Sequence, residues 1–194
     1  MRLFTALWPS TEAIRHLDEA VRAAQGQSAD WKRSIARARG FRIVSTRRWH
    51  LTLCFHGDEA DPDLLSRRLT EGLARLPTAH PRFAPPRLRL AGAGMFRSVM
   101  WIGVEPATED DMTHLHALVE AAGGDPSTFR AHLTVARWAK GRPNRESLTE
   151  LFGSYRGPYW SANEVELVHT DRESGTYRTV HRVDVVHGGP YHQA

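Results

Sequence analysis

The sequence predicts an α+β fold with two similar lobes, in which antiparallel sheets flank a central cleft and helices lie outside. Two observations favour this fold class. A His-x-Thr tetrapeptide occurs twice, at 50–53 and 132–135, and each copy lies where apolar and polar residues alternate as in a half-buried strand. The order strand, helix, motif strand, helix also occurs twice along the chain. The length of 194 residues suits one two-lobed domain spanning 1–194.

Four helices are predicted from apolar spacing and from residues that favour helix ends. Ser10 is the predicted N-cap of the first helix, and Asp61 with Pro62 begins the second. The third has acidic residues in its first turn and ends before two glycines. Its predicted inward residues are Met112, Leu115, Val119 and Ala122. The first, third and fourth helices are predicted over 10–24, 109–122 and 144–152.

The first motif strand places His50 and Thr52 on the face opposite the core, because successive side chains of a strand point in opposite directions. The residues predicted to face the core are Trp49, Leu51, Leu53 and Phe55.

The second motif strand repeats this arrangement. His132 and Thr134 face away from a core side formed by Leu133 and Val135. If the two strands occupy equivalent places in the two lobes, the four polar side chains converge on one cleft. A closing hairpin is predicted over 164–170 and 177–186.

Two imidazoles and two hydroxyls in one cleft indicate acid–base chemistry that requires no metal. Imidazole titrates near neutral pH, so one ring can accept a proton while the other donates one. Cleavage of a phosphodiester needs that pair, together with donors that stabilise charge on the phosphoryl oxygens. A metal-dependent nuclease fits poorly, because His114 and His116 diverge around a predicted helix. The acidic pair at Asp110 and Asp111 is explained by its place in the first turn of that helix.

Several segments carry a family resemblance. They are an opening strand at 1–7, the histidine motifs at 49–57 and 129–137, and a glycine-aromatic turn at 92–96 followed by a core strand at 99–104. In these segments the sequence resembles the 2H phosphoesterases, and within them the bacterial RNA 2′,3′-cyclic phosphodiesterases, also called 2′-5′ RNA ligases.

The resemblance implies catalysis by His50 and His132, with Thr52 and Thr134 holding phosphoryl oxygens and Arg137 adding positive charge. Strict alternation would put Arg137 on the core face, so its part in the site requires a bulge or a strand end nearby.

The same resemblance implies hydrolysis of a 2′,3′-cyclic phosphate to a 2′-phosphate, on an RNA end or a small cyclic nucleotide, without a cofactor or a metal. Ligation of RNA ends at this site is the reverse of related chemistry and stays open. The alternative from another class is a non-catalytic RNA-binding protein, which would keep its affinity after both histidines were replaced.

Two further residues are candidates for contact with a substrate. Phe4 is in position to stack on a base, although a core phenylalanine is the favoured interpretation. His56 stands where the family usually has an aliphatic residue, and alternation puts it on the catalytic face. An exposed histidine at the end of the strand is the favoured interpretation of His56.

Composition favours a cytoplasmic, monomeric enzyme with a polyanionic partner. The net charge is +4, the pI is about 9.7, and most of the cations are arginines, which suit phosphate contacts. The basic stretch at 32–39 follows Trp31 and predicts either a nucleic-acid contact with a stacking ring or, slightly favoured, a solvated surface. The single cysteine, Cys54, excludes an internal disulfide. No segment has the pattern of a signal peptide or a membrane span, so we expect no membrane contact.

Overall fold

Antiparallel strands account for most of the regular structure in the computed structural model of the protein, which describes residues 2–27, 29–171 and 174–185. Eleven strands are present in this part of the chain. They are β1 Arg2–Leu7, β2 Ala38–Arg39, β3 Arg42–Ile43, β4 Leu51–Gly57, β5 Arg87–Phe96, β6 Val99–Pro106, β7 His132–Arg137, β8 Lys140–Gly141, β9 Arg156–Ser161, β10 Glu164–Thr170 and β11 Tyr177–Asp184.

The strands form two larger sheets, and each contains one histidine motif. The first sheet has the order β11-β10-β1-β4 and the second has the order β3-β7-β6-β5-β9, while β2 pairs with β8 separately. The antiparallel α+β class predicted from the sequence is confirmed. The sheets are not contiguous halves of the chain, however, because β10 and β11 return from the C-terminal part to complete the sheet of β1 and β4.

Helices cover the outer faces of both sheets. The helices α1 and α5 contact the second sheet at β9 and β5, and α3 contacts the first sheet at β11. The helix α4 contacts both sheets, at β6 and at β4. The helices are α1 Thr11–Gln27, α2 Ala29–Ile35, α3 Pro62–Ala79, α4 Glu109–Ala121 and α5 Arg145–Glu150. No helix within the described residues is long and apolar enough to cross a membrane.

The predicted helix starts are confirmed by their capping bonds. The Ser10 hydroxyl accepts a hydrogen bond from the Ala13 amide, and the Asp61 carboxylate accepts from the amides of Asp63 and Leu64. Asn144 caps α5 in the same way. These bonds satisfy amides that have no partner within the helix, which is why short polar residues start helices.

Two expectations from the sequence are wrong, and one of the alternatives left open is excluded. Met112 is 41% exposed, since it lies in the first turn of α4, before the first core contact at Leu115. The predicted turn at 92–96 is the second half of β5, because its backbone pairs with β6. Trp31 is buried against Phe41 and Phe152, so its ring cannot stack on a nucleic-acid base.

Candidate active site

The two motif histidines are held by the same backbone contact. The Nδ1 of His50 lies 2.7 Å from the carbonyl oxygen of Arg48, and the Nδ1 of His132 lies 2.6 Å from that of Arg130. A carbonyl can only accept, so each ring donates from Nδ1 and its neutral form carries the lone pair on Nε2. Neither Nε2 has a hydrogen-bond partner among the described residues. Both rings therefore have a nitrogen free for proton transfer.

A β-bulge follows the threonine in both motif strands. In β4, Thr52 is opposite Ala6 and Cys54 is opposite Thr5, which leaves Leu53 as an extra residue. In β7, Thr134 is opposite Trp101 and Ala136 is opposite Met100, which leaves Val135 as the extra residue. A bulge shifts the alternation of side chains for the residues that follow it.

This shift exposes the residue five positions after each histidine. Phe55 was predicted to face the core, but it is 57% exposed and lies opposite Phe4, so that prediction is wrong. Arg137 is the equivalent residue of the second motif, and the bulge brings it to the side of His132 and Thr134. Arg137 therefore lies on the same face as His132 and Thr134, where strict alternation would not have placed it.

The hydroxyls of Thr52 and Thr134 stand beside the histidines. Both side chains are half-buried, and neither hydroxyl has a hydrogen-bond partner among the described residues. Arg137 is exposed and likewise makes no hydrogen bond or ion pair there. Two hydroxyl donors and one guanidinium are thus available to the oxygens of a phosphoryl group.

Three aromatic rings surround His50. Phe4 stacks on the imidazole with ring centroids 4.8 Å apart and planes 26° apart. Trp8 and Tyr177 lie 5.1 Å and 5.4 Å from it, centroid to centroid. Phe4 is only 5% exposed, so the favoured interpretation as a core residue holds, and its ring supports His50 with little surface left for a base.

This apolar surrounding changes the proton affinity of His50. Burial lowers the pKa of the imidazole to about 4, although the hydrogen bond to the Arg48 carbonyl acts in the opposite direction. The nearby charges of Arg48, Arg137 and His132 lower the pKa further. His50 is therefore neutral near pH 7. The two motif strands, β4 and β7, lie in contact with each other.

His132 has a different setting. Phe96 and Trp101 contact it edge to face, with ring centroids 5.2 Å and 6.0 Å from the imidazole. Trp101 lies directly over Gly94, where any β-carbon would collide with the indole. The glycine on β5 therefore allows the tryptophan on β6 to lie flat against the sheet and reach His132.

His56 is not on the catalytic face, so the prediction from alternation is wrong. Its Nε2 lies 2.8 Å from the hydroxyl of Thr5, a buried residue that lies between Leu3 and Leu7 on the core face of β1. The bulge at Leu53 inverts the faces of the residues after it, so His56 lies on the same side as Cys54 and Thr5, away from the cleft. The position of the His56 ring therefore gives no support for a contact between His56 and a substrate.

A buried carboxylate organises the rings beside His50. Glu166 is 6% exposed and accepts hydrogen bonds from the Trp8 indole at 3.0 Å, from the Thr179 hydroxyl at 2.8 Å and from the Arg182 guanidinium at 2.7 Å. The three donors satisfy the hydrogen-bonding capacity of the carboxylate. A charged group in a protein interior needs such partners. Glu166 thereby holds the Trp8 ring in contact with His50.

A pocket of about 280 Å³ opens next to these rings. It is mostly polar and adjoins the His50 side of the cleft. Its lining includes Trp8, Arg47, Glu166, Tyr177 and Arg182. Sequence reasoning did not select Trp8, Tyr177 or Glu166, because each lies far along the chain from the motif whose histidine it supports. A glutamate between the apolar residues of β10 was the one available indication that a buried polar contact exists there.

No group of three or more His, Cys, Asp or Glu side chains lies close enough together to hold a metal ion within residues 2–27, 29–171 and 174–185.

Sequence comparison identifies the family. The family model of the 2′-5′ RNA ligase superfamily matches residues 17–174. The chain belongs to this superfamily, which confirms the resemblance to the 2H phosphoesterases noted above. Membership supports phosphoesterase activity on RNA. A search of curated proteins finds no significant match.

Solved structures show the same fold. TT0787 of Thermus thermophilus is 20% identical, with 98% of this chain and 100% of that chain aligned at a TM-score of 0.59. LigT of E. coli complexed with ATP is 20% identical, with 95% and 98% aligned at a TM-score of 0.57. A protein described as a phosphoesterase is 18% identical, with 95% and 98% aligned at a TM-score of 0.60. At these identities the likeness establishes the fold.

Proposed function

We propose that the protein hydrolyses 2′,3′-cyclic phosphates on RNA ends or nucleotides to 2′-phosphates, with His50 and His132 as the proton-transfer pair. The observation that carries the proposal is the shared orientation of the two rings. Each donates from Nδ1 to the carbonyl two residues earlier and leaves Nε2 free on the cleft side. Rings fixed in this way lose little entropy when they engage a substrate between them.

The reaction needs one proton removed and one supplied. A water attacks phosphorus while one histidine takes its proton, and the bond from phosphorus to O3′ breaks while the other histidine protonates O3′. The base ends protonated and the acid ends neutral, and exchange with solvent restores both. Thr52, Thr134 and Arg137 bind the phosphoryl oxygens, on which negative charge increases during the attack.

We assign the base to His50 and the acid to His132. His50 lies against three aromatic rings, and its lowered pKa of about 4 keeps the imidazole neutral at the pH of most cells. A neutral imidazole is the form that accepts a proton from water. The acid role then belongs to His132, whose ring meets only the edges of Phe96 and Trp101.

The pocket beside His50 suits the nucleoside of such a substrate. Trp8 and Tyr177 offer aromatic surface there, and Arg47 offers a cation. LigT of E. coli, which has a similar fold, has been crystallised with phosphate, with 3′-AMP and with ATP, and these complexes support a nucleotide or phosphate ligand for this protein.

The test is an assay of purified protein with an RNA that ends in a 2′,3′-cyclic phosphate, in excess EDTA, with products followed by phosphorus NMR. Wild type should form a 2′-phosphate, and His50→Ala and His132→Ala should each lower kcat by about 10² to 10⁴. An added 5′-hydroxyl RNA reports ligation in the same tube.

Absence of turnover with RNA binding intact in all three proteins would favour a non-catalytic RNA-binding protein and overturn the proposal. Loss of turnover in EDTA that added metal restores would overturn the metal-independent mechanism alone.

A further inference from the structure

The side chain of Arg48 makes contacts that are separate from the hydrogen bond between its carbonyl and His50. Its guanidinium carbon lies 4.6 Å from the centroid of the Tyr177 ring, and its Nη2 donates a hydrogen bond to the Tyr177 hydroxyl at 3.4 Å. A β-carbon at Gly175 would lie 3.7 Å from Nη1, so the guanidinium also packs against the turn before β11. Arg48 therefore contacts the first histidine through its backbone and the β10–β11 turn through its side chain.

Tyr177 and His50 lie at opposite edges of the first sheet, yet their rings are in contact. Tyr177 begins β11, His50 directly precedes β4, and the sheet has the order β11-β10-β1-β4. Neighbouring strands are about 4.8 Å apart, so a flat sheet would separate these two edge strands by roughly 14 Å. The two ring centroids are 5.4 Å apart. Backbone pairing runs through β10 and β1, so the contact between the rings depends on side chains that reach across the sheet.

The turn between β10 and β11 is tied to the start of β11 by Asp171. Its carboxylate accepts hydrogen bonds from the amide of Ser174 at 2.7 Å and from the hydroxyl of Ser174 at 2.9 Å. Its carbonyl accepts from the amide of Gly175 at 2.9 Å. These bonds fix the backbone two residues before Tyr177, so a side chain that packs on Gly175 also restrains the tyrosine ring.

The second motif has no equivalent side-chain contact. The carbonyl of Arg130 accepts from His132 as that of Arg48 does from His50, but the Arg130 guanidinium has no hydrogen bond, ion pair or ring contact among the described residues. The rings beside His132 come from β5 and β6, and β6 pairs directly with β7. Strand pairing alone therefore positions the rings of the second motif, whereas the first motif has a ring from a distant edge.

We propose that Arg48 is a positioning residue whose guanidinium holds the Tyr177 ring against His50 and so keeps the imidazole oriented for proton transfer. The proposal rests on the proposed function, in which His50 takes a proton from water. A planar guanidinium stacks on a ring and donates to its hydroxyl at the same time, which an ammonium does poorly. Between the face of Phe4 and the ring of Tyr177 the imidazole has little freedom, and catalytic rate depends steeply on such placement.

The kinetic test compares Arg48→Met and Arg48→Lys, with a mononucleotide 2′,3′-cyclic phosphate as substrate. Both variants should lower kcat about tenfold through misplacement of His50, and KM should change much less. Lysine should behave like methionine, because it keeps the charge but not the planar stack. The matched control is Arg68→Met, which removes an exposed arginine of α3 that has no partner among the described residues and should keep wild-type kcat.

Nuclear magnetic resonance of the His50 ring gives a readout that needs no turnover. In both Arg48 variants the ring-proton shifts should move towards those of Tyr177→Leu, in which the ring is absent. Burial and the charges of Arg48, Arg137 and His132 all lower the pKa of His50. Arg48→Met loosens the cover and removes one cation, so the titration midpoint should rise. Arg48→Lys keeps the cation and should raise the midpoint less.

The outcomes separate this proposal from the proposed function. Wild-type kcat and wild-type His50 shifts in Arg48→Met would overturn the positioning role, as would a rise in KM with kcat unchanged, which indicates a substrate contact. Full activity in Arg48→Lys would assign the effect to charge, and an equal loss in Arg68→Met would make it nonspecific. If wild type has no turnover, the proposed function fails, and the His50 shifts alone decide whether Arg48 holds Tyr177. If Arg48→Met does not fold, Arg48→Lys decides by the same measurements.

Discussion

The two histidine motifs have the same backbone and different surroundings. Both histidines donate to the carbonyl of an arginine two residues earlier, and both strands have a bulge immediately after the threonine. The histidine contact lies within each motif, and alternation along the strand places the threonine beside the histidine. Each bulge, in contrast, lies in the pairing with a neighbouring strand.

The surroundings of the two motifs differ as the proposed roles require. His50 is covered by Phe4, Trp8 and Tyr177, whereas His132 meets, among the described aromatic rings, the edges of Phe96 and Trp101. Five positions after the histidine, the first motif exposes a phenylalanine and the second an arginine. One repeated motif thus gives a desolvated, neutral imidazole on one side of the cleft and an exposed cation on the other.

The difference teaches that a repeated motif repeats its backbone geometry but not its surroundings. Burial lowers the pKa of His50, and two of the rings that cover it come from β1 and β11, while Arg137 acts on it from the other sheet. Two nearly identical tetrapeptides can therefore take opposite roles in one reaction.

The largest expected effect concerns these opposite roles. A p-nitrophenyl phosphodiester has a leaving group that departs without a proton, so it bypasses the acid and still needs the base. With this substrate, His132→Ala should lose less than about tenfold in kcat, while His50→Ala should keep its full loss of about 10² to 10⁴. Release of p-nitrophenolate gives both rates. If His50→Ala were instead the less affected variant, His132 would be the base and His50 the acid.

The next effect concerns the unequal residues that follow the two bulges. Arg137→Gln should lower kcat/KM for a cyclic phosphate by roughly 10², because it removes a charged donor to the phosphoryl oxygens. Phe55→Gln changes the equivalent position of the first motif and should have little effect. Initial rates with circular dichroism as a folding check provide the comparison, and similar losses in the two variants would contradict the division of roles.

A smaller effect should appear in the pH dependence of the free energy of unfolding. The folded pKa of His50 is about 4 and its ordinary value is 6.5, so between these values the unfolded chain binds more protons than the folded protein. Stability should therefore decrease as the pH falls from 6.5 towards 4. The His50→Asn variant should not show this loss of stability. In wild type we expect the free energy of unfolding to fall by on the order of 2 kcal/mol, a value reduced by solvent screening because the cleft is open. Urea unfolding at pH 7 and near pH 4 measures it, and parallel pH dependence in the two proteins would contradict it.

The smallest effect concerns the carboxylate that holds the rings. Trp8→Phe keeps an aromatic ring near His50 but removes the donor to Glu166, and it should lower the free energy of unfolding by about 1 kcal/mol. In a Glu166→Gln background the same change should cost less, because the charged acceptor is already absent. Chemical unfolding of the four proteins completes this double-mutant cycle, and strict additivity would show that the bond contributes nothing.

Prediction from the sequence succeeded where the pattern is short-ranged. The faces of His50, Thr52, His132 and Thr134 follow from alternation over a few residues, and the helix caps follow from single side chains. Prediction failed at Phe55 and His56, because the bulge at Leu53, which inverts their faces, is not marked by a glycine. The role proposed for Arg137 needed a bulge in β7 that the sequence does not indicate either.

By itself the sequence determined the repeated motif, the caps of its helices and the excess of arginine, since each is encoded within a few neighbouring residues or in the composition. The antiparallel α+β class followed from the order of the elements together with the family resemblance. Only the tertiary structure decided that Phe4, Trp8 and Tyr177 enclose His50, that Glu166 contacts one of these rings, and that Arg48 contacts another. The physical reason is that strand pairing, bulges and desolvation depend on contacts between segments far apart in the chain, and these contacts leave no periodicity in the sequence of either segment.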